Sequence, residues 1–351
     1  MKSAVQIVET FSDASIERPS LVTVGSFDGV HLGHQHLLGA MQRTAQQRGF
    51  HSVVVTFRPR PQVVLFPERP NYDLTTHEEK CALLAQLGIQ IIVVLHFTRE
   101  LAQVSAADFV TGLVTHLRMR ELWIGPNSAM GRNREGDITR LRQLGQEMGF
   151  SLHVVEPLVC DGEIVSSTRI RQLLQSGQIR QANALLGRYY ALSGPVVRGA
   201  TRGRSLGFPT ANIAVPPGLV MPPRGVYACF ACVEGQRWPA VANVGVRPTF
   251  SEQQLTVEAH LLGFTGNLYD QVLRLELIEF LRAERQFDSA NALVAQIQED
   301  VMRAAQLLER EGAPAPCVPV TVHAAHLSSD CDPSDGMSEP PSESSMGQKT
   351  S

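Results

Sequence analysis

The sequence predicts a chain of the α/β class in two parts: a doubly wound parallel sheet, then a small antiparallel β-barrel with a C-terminal helix. Three observations predict this order. Over roughly the first 187 residues, short apolar runs alternate with amphipathic stretches, which is the rhythm of βαβ units. From about residue 190 the runs are extended, closely spaced and separated by Gly and Pro, which is typical of a small barrel. The last apolar stripe has helical spacing.

The elements of the first part alternate strictly along the chain. Strands are expected at 21–24, 53–57, 91–95, 121–124 and 152–156. Helices are expected at 34–48, 77–87, 106–118 and 137–148. Because parallel strands need long crossover connections, this alternation predicts a parallel sheet covered by helices.

The second part consists of closely spaced extended runs. They are expected at 192–197, 225–234, 238–244, 255–263 and 271–280. The last helix should begin near Asp288 or Ser289 and pack across the barrel through one apolar face, made of Leu293, Ile297, Val301 and Leu308. We expect the domain boundary near 186–192, which gives domains at 1–187 and 188–312.

Composition limits the classes of function. The 351 residues are 43% hydrophobic and 19% charged, which is typical of a soluble globular protein. A formal net charge of -3 gives no basic surface, so no nucleic-acid partner is expected. No apolar run approaches the roughly 18 residues that span a bilayer, so we expect a cytoplasmic chain without a membrane partner. The final stretch, 313–351, is rich in Pro, Ser and acids and is expected to be disordered.

The six cysteines show no disulfide framework. The closest pair, Cys229 and Cys232, lies in an extended run, where residues three apart point to opposite faces. We therefore expect buried thiols rather than a metal or redox site.

A glycine-rich segment joins the first predicted strand to the first predicted helix. Residues 25–34 read GSFDGVHLGH. Gly25 and Gly29 allow a tight turn there, and the start of the helix offers free N–H groups and the positive end of its dipole. The segment therefore predicts a site for phosphate.

Two histidines lie in this segment. His31 and His34 are three residues apart, so both imidazoles project from one face of the first helical turn, and Gly33 leaves room for a ligand. Such rings suit transfer at an α-phosphorus, where they stabilise the charge on the phosphoryl oxygens and the attacking phosphate needs no base. The alternative is a metal pair, but zincin histidines are four apart with a glutamate between them.

A second polar motif precedes another helix. Residues 166–171 read SSTRIR. Ser167 or Thr168 could cap that helix, and Arg171 could fork two phosphate oxygens, so the motif could clamp a triphosphate. By itself it could equally be an ordinary N-cap.

A third motif, GPVVRGATRGRSLGFPTAN, occupies residues 194–212. Gly199, Gly203 and Gly207 permit a loop whose amides approach phosphates, and Arg204 adds positive charge. The loop is not a Walker A motif, because its glycines are one residue too close and arginine replaces the required lysine.

These motifs together resemble a known family. Residues 25–34 and 166–171 resemble the two signatures of HxGH nucleotidyltransferases, and 194–212 resembles a riboflavin kinase. The whole arrangement, over roughly 15–308, is similar to the bacterial bifunctional riboflavin kinase/FAD synthetases. The resemblance implies a nucleotidyltransferase-type sheet and a riboflavin kinase-type barrel. It also implies that the barrel phosphorylates riboflavin with ATP to FMN, and that the first domain transfers AMP from ATP to FMN.

The resemblance also implies roles for individual residues. His31 and His34 would act in adenylyl transfer, and Glu258 would be the base for the ribityl hydroxyl. Thr210 and Asn212 would place the ATP phosphates and Mg²⁺. The other ATP- and phosphate-binding residues are expected to be Gly25, Phe27, Asp28, Gly33, Asn127, Ser167, Thr168, Arg171, Gly199, Gly203, Arg204, Gly207 and Pro209.

The neighbours of Glu258 leave two interpretations open. The residue lies in an apolar alternating run, where burial would raise its pKa and make it a useful base. Alternatively, Glu258 occupies the wet face of the strand together with Thr256 and His260.

The first part departs from the family pattern in two segments. Residues 57–61 read FRPRP where the family has F-x-P-H-P, so two arginines, Arg58 and Arg60, change the charge of the site. Residues 125–131 keep Asn127, but Ser128 and Met130 replace two aromatic rings, which predicts a weaker grip on flavin or adenine.

Two other functions therefore remain open. The first is a kinase whose N-terminal domain is impaired or acts on another phosphorylated molecule. The second is a flavin- or nucleotide-binding sensor without turnover, although a binder would need no base at Glu258. The sequence does not indicate an oligomeric state.

Overall fold

A computed structural model describes residues 5–70, 72–199, 203, 206–248 and 253–311. Arg204 and the stretch 313–351 lie outside the described residues. No helix within the described part of the chain is long and apolar enough to cross a membrane.

The first part is a six-stranded parallel sheet. Its strands are β1 (Gln6–Val8), β2 (Ser20–Val24), β3 (His51–Arg58), β4 (Ile91–His96), β5 (Met119–Ile124) and β6 (Ser151–Val154). They lie side by side in the order β1-β4-β3-β2-β5-β6, and every neighbouring pair is parallel. After β2 the chain first builds outward through β3 and β4, and then returns to the other side of β2 with β5. The carboxyl ends of β2 and β5 therefore form a topological switch point, where open α/β sheets bind ligands.

Helices cover both faces of this sheet, as the alternation predicts. They are α1 (Leu32–Arg48), α2 (Pro61–Leu65), α3 (His77–Gln86), α4 (Ala106–His116) and α5 (Ile138–Met148). Consecutive strand residues enter different cores: Val53 and Val55 pack with α4 and α5, whereas Val54 packs with α1 and α3. Burial on both faces explains why these strands read as unbroken apolar runs.

A connecting segment leads from the sheet to the barrel. It contains a short hairpin, β7 (Val159–Cys160) and β8 (Glu163–Ile164), followed by α6 (Ser167–Gln175) and α7 (Ile179–Leu186). The alternating pattern did not predict the hairpin, α2, α7 or the edge strand β1, because each is short.

The second part is a closed antiparallel barrel. Its strands are β9 (Tyr190–Val197), β10 (Ala211–Ile213), β11 (Gly225–Val233), β12 (Gln236–Pro248), β13 (Gln253–Leu261) and β14 (Val272–Ala283). The barrel closes in the order β10-β13-β12-β11-β14-β9. All five predicted strands are present, and the sequence missed only the three-residue β10.

The last helix, α8 (Ala290–Arg310), packs on the outside of the barrel. It begins after Ser289, whose side chain accepts a hydrogen bond from the N–H of Ala292. Ala304 and Leu308 pack against Phe230 on the outer face of β11. The predicted fold class, a parallel α/β sheet followed by an antiparallel barrel with a C-terminal helix, is confirmed.

The cysteines behave as expected within the described residues. Cys81, Cys229 and Cys232 are buried free thiols, and Cys160 is a half-buried one. Burial raises the pKa of Cys81 to about 11, so that thiol is unreactive.

The two parts meet through buried polar contacts. Glu79 on α3 and Arg274 on β14 form an ion pair at 2.9 Å, with side chains only 8% and 6% exposed. The side chain of Asn183 on α7 donates to the carbonyl of Leu277 at 2.8 Å and accepts from the N–H of Tyr190 at 2.7 Å. The last helix before the barrel is therefore fixed to the barrel wall.

Candidate active sites

A cavity of about 550 Å³ opens at the switch point, next to the carboxyl ends of β2 and β5. Its size is typical of a site for a small molecule. The walls include all ten residues of the first part that the sequence singled out: Gly25, Phe27, Asp28, His31, Gly33, His34, Asn127, Ser167, Thr168 and Arg171. The strand order brings three separate segments of sequence to this one place.

The turn between β2 and α1 is tightly constrained. Phe27 and Val30 have positive φ angles of 46° and 39°, which non-glycine residues rarely adopt, and Gly29 lies between them at 80°. Gly33 follows in the first turn of α1, where an added Cβ would lie 3.0 Å from the carbonyl oxygen of Val165. The space beside Gly33 is therefore filled by the Val165 carbonyl and the His31 ring, and the glycine allows these groups to pack closely.

The two histidines form a stacked pair at the start of α1. Their ring centroids are 3.7 Å apart, and the ring planes differ by 19°. Nδ1 of His31 accepts a hydrogen bond from the backbone N–H of His34 at 3.4 Å, so His31 is the N-cap residue of the helix. The proton of the neutral ring therefore lies on Nε2, where it can be donated to a ligand.

Both imidazoles are held neutral. Burial lowers the pKa of His31 to about 4, and the charges of Arg188 and Arg171 act in the same direction. Burial also lowers the pKa of His34 well below its usual value, with a further contribution from His31. Nδ1 of His34 is buried and has no hydrogen-bond partner among the described residues. Two neutral rings can stack closely, whereas two cations would repel each other.

A buried carboxylate lies beside the pair. Asp28 forms an ion pair with Arg171 and also accepts from the N–H of Leu74 at 2.9 Å. Burial raises the pKa of Asp28, while Arg171 and Arg60 act in the opposite direction. Arg171 thus lies in the cavity wall but is held by Asp28 and by the carbonyl of Tyr72, to which its Nε donates at 2.8 Å.

The second polar motif caps α6 differently from the prediction. Ser166 is the N-cap, and its side chain accepts from the N–H of Arg169. Ser167 instead donates its hydroxyl to the carbonyl of Asp28 at 2.9 Å. The prediction of Ser167 or Thr168 as the cap was wrong by one or two residues, because the chain enters the helix directly after Ser166. The Ser167 hydroxyl joins the two motifs across the cavity.

The two arginines of the FRPRP segment have different surroundings. Arg58 is largely exposed and lies 3.6 Å from Glu78. Arg60 is buried, lines the cavity and pairs with Asp73. Only Arg60 therefore changes the charge of the cavity wall.

A second cavity of about 690 Å³ adjoins the first. The two cavities share six wall residues: Val24, Gly25, Ser26, Gln62, Asn127 and Ser128. Its walls also contain Ser128 and Met130, the positions where the family pattern has rings. Sequence reasoning missed four phenylalanines that line this cavity: Phe57, Phe66, Phe97 and Phe109.

These phenylalanines come from separate elements. Phe57 lies near the end of β3 and Phe97 directly after β4, and their rings meet edge to face with centroids 5.5 Å apart. Phe109 lies on α4. Because only the strand order brings them together, the one signal in the sequence was that Phe57 and Phe97 each stand at the carboxyl end of a predicted strand.

The third motif surrounds a polar cluster on the outer face of the barrel. Asn212 on β10 and Asn243 on β12 are both cross-strand partners of Glu258 on β13. The hydroxyl of Thr210 donates to Glu258 at 3.4 Å. Threonine, asparagine and glutamate oxygens therefore converge at one place.

Glu258 lies opposite the barrel core. Its neighbours Val257 and Ala259 belong to the core, whereas Glu258 is half-buried on the other face together with Thr256 and His260. The expectation of a carboxylate buried in an apolar run was wrong, and the alternative placement on the outer face is confirmed. Alternation along the strand explains it, because the apolar residues point inward.

The glycines of the third motif allow close packing. A Cβ on Gly199 would lie 2.1 Å from the amide nitrogen of Asn212, and one on Gly203 would lie 2.4 Å from the carbonyl oxygen of Phe208. Gly207 has a φ angle of 87°. The carbonyl of Pro209 accepts from Nδ1 of His260 at 2.8 Å. Any side chain at Gly199 would therefore displace Asn212 from the cluster.

Comparisons with known proteins match both parts of the chain. The FAD synthetase family model matches residues 13–169, and the riboflavin kinase family model matches residues 186–308. A relative from Escherichia coli K12, described as a bifunctional riboflavin kinase/FMN adenylyltransferase, is 36% identical to this chain. The match covers 81% of this chain and 91% of the relative. The Pseudomonas fluorescens relative of that description is 37% identical, over 83% and 93% of the two chains.

A solved structure shows the same fold. The crystal structure of a protein described as a macrolide-efflux protein from Streptococcus pneumoniae has a TM-score of 0.80 and 26% identity to this chain. The match covers 87% of this chain and 99% of that one. With both family models and relatives above 30% identity over most of its length, the chain belongs to the bifunctional riboflavin kinase/FMN adenylyltransferase family.

Proposed function

We propose that this member of the family performs both reactions. In the barrel, the γ-phosphoryl group of ATP passes to riboflavin and gives FMN and ADP. At the parallel sheet, the phosphate of FMN attacks the α-phosphorus of a second ATP and gives FAD and pyrophosphate. The observation that carries this proposal is the neutral, stacked pair of His31 and His34 in a cavity that opens into a second, phenylalanine-lined cavity.

The first cavity suits adenylyl transfer. The attacking phosphate is already ionised, so it needs no general base, and neutral imidazoles fit this requirement. Nε2 of His31 can donate to an oxygen of the α-phosphate and stabilise the charge that builds up in the transition state. The N-terminal turn of α1 borders this cavity, and the positive end of the helix dipole favours an anion there. We assign the triphosphate and the leaving pyrophosphate to Ser167, Thr168 and Arg171, which face this cavity.

The second cavity suits the flavin. Its four phenylalanines supply flat apolar surface for the isoalloxazine ring, and such rings stabilise one another by edge and offset contacts. Because the cavities share Gly25, Ser26 and Asn127, the phosphate of a flavin bound there can reach the histidines. The rings absent at Ser128 and Met130 are therefore compensated by other elements, which weighs against an impaired N-terminal domain.

The barrel site suits transfer to a hydroxyl group. We assign Glu258 as the base that accepts the proton of the ribityl hydroxyl, with Thr210 and Asn212 beside the ATP phosphates. Their oxygens are ligands of the kind that Mg²⁺ prefers, and Mg²⁺ would neutralise charge on the phosphates during transfer. Glu284 accepts from Asn243 at 3.3 Å and adds a second carboxylate beside the cluster. A base at Glu258 also weighs against a sensor without turnover.

We place the boundary between the two domains at 187/188, as the change in rhythm suggests. The buried pair of Glu79 and Arg274 and the contacts of Asn183 support a close association of the two domains.

Product analysis tests the proposal directly. The purified chain is incubated with riboflavin, ATP and Mg²⁺, and riboflavin, FMN and FAD are separated by chromatography. A second reaction supplies FMN instead of riboflavin. We expect FMN and FAD in the first reaction and FAD with pyrophosphate in the second. FMN without FAD in both reactions would favour the kinase with an impaired N-terminal domain, and no product in either would favour a sensor.

The His34→Gln variant controls for contaminating enzymes. It should retain FMN formation and lose FAD formation, because the stacked pair is needed only at the α-phosphorus. Unchanged FAD formation by this variant would remove the histidines from the reaction.

A further inference from the structure

Each carbonyl from Ser26 to Val30, in the turn before the histidines, accepts a hydrogen bond. The carbonyl of Ser26 accepts from the hydroxyl of Thr56 at 3.2 Å and from Nζ of Lys80 at 3.3 Å. That of Phe27 accepts from the N–H of Val30 at 3.1 Å. The next three carbonyls accept from side chains that lie elsewhere in the chain or on α1. The turn is thus fixed from outside, as its unusual φ angles require.

Those three donors differ in origin. Asp28 accepts from the hydroxyl of Ser167, and Val30 accepts from Nε2 of Gln35 at 2.8 Å. The carbonyl of Gly29 accepts from Nη1 of Arg188 at 2.7 Å. This bond is the shortest of the set and comes from the start of the barrel half. Arg188 lies outside the stretch that matches the FAD synthetase model and inside the stretch that matches the riboflavin kinase model.

The guanidinium of Arg188 is held at the turn by its hydrogen bond to the carbonyl of Gly29. Its Nε is buried and has no hydrogen-bond partner among the described residues. The charges of Glu79 and Asp28 favour its ionised form through space, whereas that of Arg274 opposes it. Arg188 is half-buried and forms no ion pair among the described residues, and a buried guanidinium nitrogen without a partner is costly to keep, so its position calls for a functional reason.

We propose that Arg188 is a positioning residue for adenylyl transfer: the barrel half supplies the guanidinium that fixes the Gly29 carbonyl and thereby the stacked histidines. The inference rests on the proposed adenylyl transfer and adds that the N-terminal site is completed by a residue of the other half of the chain. Arg188 does not line the cavity, so it acts through the turn rather than by contact with a substrate.

The mechanism follows from the geometry of the turn. Val30 has a β-branched side chain and a φ angle of 39°, a conformation that persists only where its surroundings hold it. If the Gly29 carbonyl loses its donor, the turn can relax toward ordinary φ angles. His31, the next residue after Val30, then moves out of register with His34. Displacements of about 1 Å in a reacting group can reduce a rate by about 10²-fold.

Two variants of the full chain test the proposal. Arg188→Met removes the charge and the donor but keeps much of the apolar stem. Arg188→Lys keeps a charge and a donor. We expect Arg188→Met to lower kcat for FAD formation by about 10- to 100-fold with KM for FMN and ATP within about 2-fold, because the cavity walls remain in place. Arg188→Lys should recover a large part of this loss, and both variants should phosphorylate riboflavin at the normal rate.

Arg180→Met is the matched control. Arg180 lies on α7 near the same joint but on its outer side, where it pairs with Glu279 and Glu311 at 2.6 Å each. This variant should leave both reactions unchanged. A loss of FAD formation equal to that of Arg188→Met would show that any weakening of the joint has the same effect, and the proposal would be wrong.

Amide hydrogen exchange gives a readout that does not depend on activity. In Arg188→Met, the peptide that covers residues 25–34 should exchange faster than in the unchanged chain, while peptides of the barrel should exchange at the same rate. In Arg180→Met, the exchange of the peptide 25–34 should equal that of the unchanged chain. Normal exchange there, or normal FAD formation, would overturn the proposal. If Arg188→Met does not fold, Arg188→Gln takes its place with the same expected outcomes. An unchanged chain that makes no FAD would contradict the proposed function, whereas the exchange result would still decide the role of Arg188.

Discussion

Substitution by alanine should have different effects at two glycines of one helix: greater stability at Gly39 and slower FAD formation at Gly33. Gly33 and Gly39 both lie on α1, and neither has a positive φ angle, so alanine is compatible with the backbone at both positions. At Gly39 the new Cβ would lie 3.2 Å from Nη1 of Arg43, the end of a flexible side chain. Gly39→Ala should therefore raise the free energy of unfolding by about 0.5–1 kcal/mol, because alanine loses less conformational entropy in a helix.

At Gly33 the same methyl group meets rigid neighbours. It would lie 3.0 Å from the carbonyl oxygen of Val165 and 3.2 Å from two atoms of the His31 ring. These distances are a few tenths of an ångström shorter than ordinary carbon contacts of about 3.5 Å. The backbone of Val165 is fixed by the segment before α6, so the His31 ring is the neighbour that must move. Gly33→Ala should lower kcat for FAD formation by about 10-fold and leave FMN formation unchanged.

The assay compares three proteins under identical conditions. FAD formation is measured with saturating FMN and ATP, FMN formation with saturating riboflavin and ATP, and stability by urea unfolding. Gly39→Ala should have both activities at the normal level and a higher midpoint. A Gly33→Ala variant with normal FAD formation would refute the argument, because it would show that the His31 ring can shift without consequence.

Four further outcomes follow from the sites and the joint. Glu258→Gln should lower FMN formation by about 10²–10⁴-fold, the usual loss of a general base, with FAD formation from FMN retained; equal losses in both reactions would contradict this role. Phe97→Leu should raise KM for FMN in FAD formation by about 2- to 10-fold and leave KM for riboflavin unchanged, since it removes an aromatic contact but little volume. Because the pKa of His31 is lowered to about 4, the unfolded chain binds its proton first as the pH falls, so stability should decrease between pH 6.5 and 4. The free energy of unfolding is measured in urea at several pH values between 4 and 6.5. In His31→Gln this free energy should change less steeply with pH, by up to about 1.4 kcal/mol per pH unit. An unchanged pH dependence would mean that the ring is not held neutral. The fragment 188–312 should fold and form FMN, but the fragment 177–312 should be more stable by about 1–3 kcal/mol because it keeps the buried hydrogen bonds made by α7. A shorter fragment of equal stability would show that α7 does not support the barrel.

Much of the fold could be predicted from the sequence because the signals are local. An unbroken apolar run such as 53–57 marks a strand covered on both faces, and the fixed alternation from Leu255 to Leu261 marks a barrel strand with one face inside. Helix starts were also readable: Ser289 was expected near the start of the last helix and is its cap. The elements that were missed, such as β10 and α7, span only three and eight residues, which is too short for a clear signal.

For the candidate sites too, the sequence predicted the local features but not those that depend on distant residues. The spacing of His31 and His34 placed both rings on one face of a helix, and the structure brings them into a stack. The sequence did not indicate that the rings are neutral, because their low pKa values come from burial by residues far along the chain. Nor did it indicate that Glu258 faces outward rather than into the core, although strand alternation left that possibility open.

The sequence by itself determined which segments are strands, helices and tight turns, because backbone sterics and side-chain periodicity act over a few residues. It also determined which segments carry the chemistry, since the glycines and polar residues of each motif are neighbours along the chain. Only the tertiary structure decided which segments meet. The strand order brings Phe57 and Phe97 together in the cavity that adjoins the one with the histidines, and the docking of the barrel places Arg188 on the carbonyl of Gly29. Contacts between residues far apart in the chain depend on how all the elements pack at once, and no local pattern encodes that arrangement.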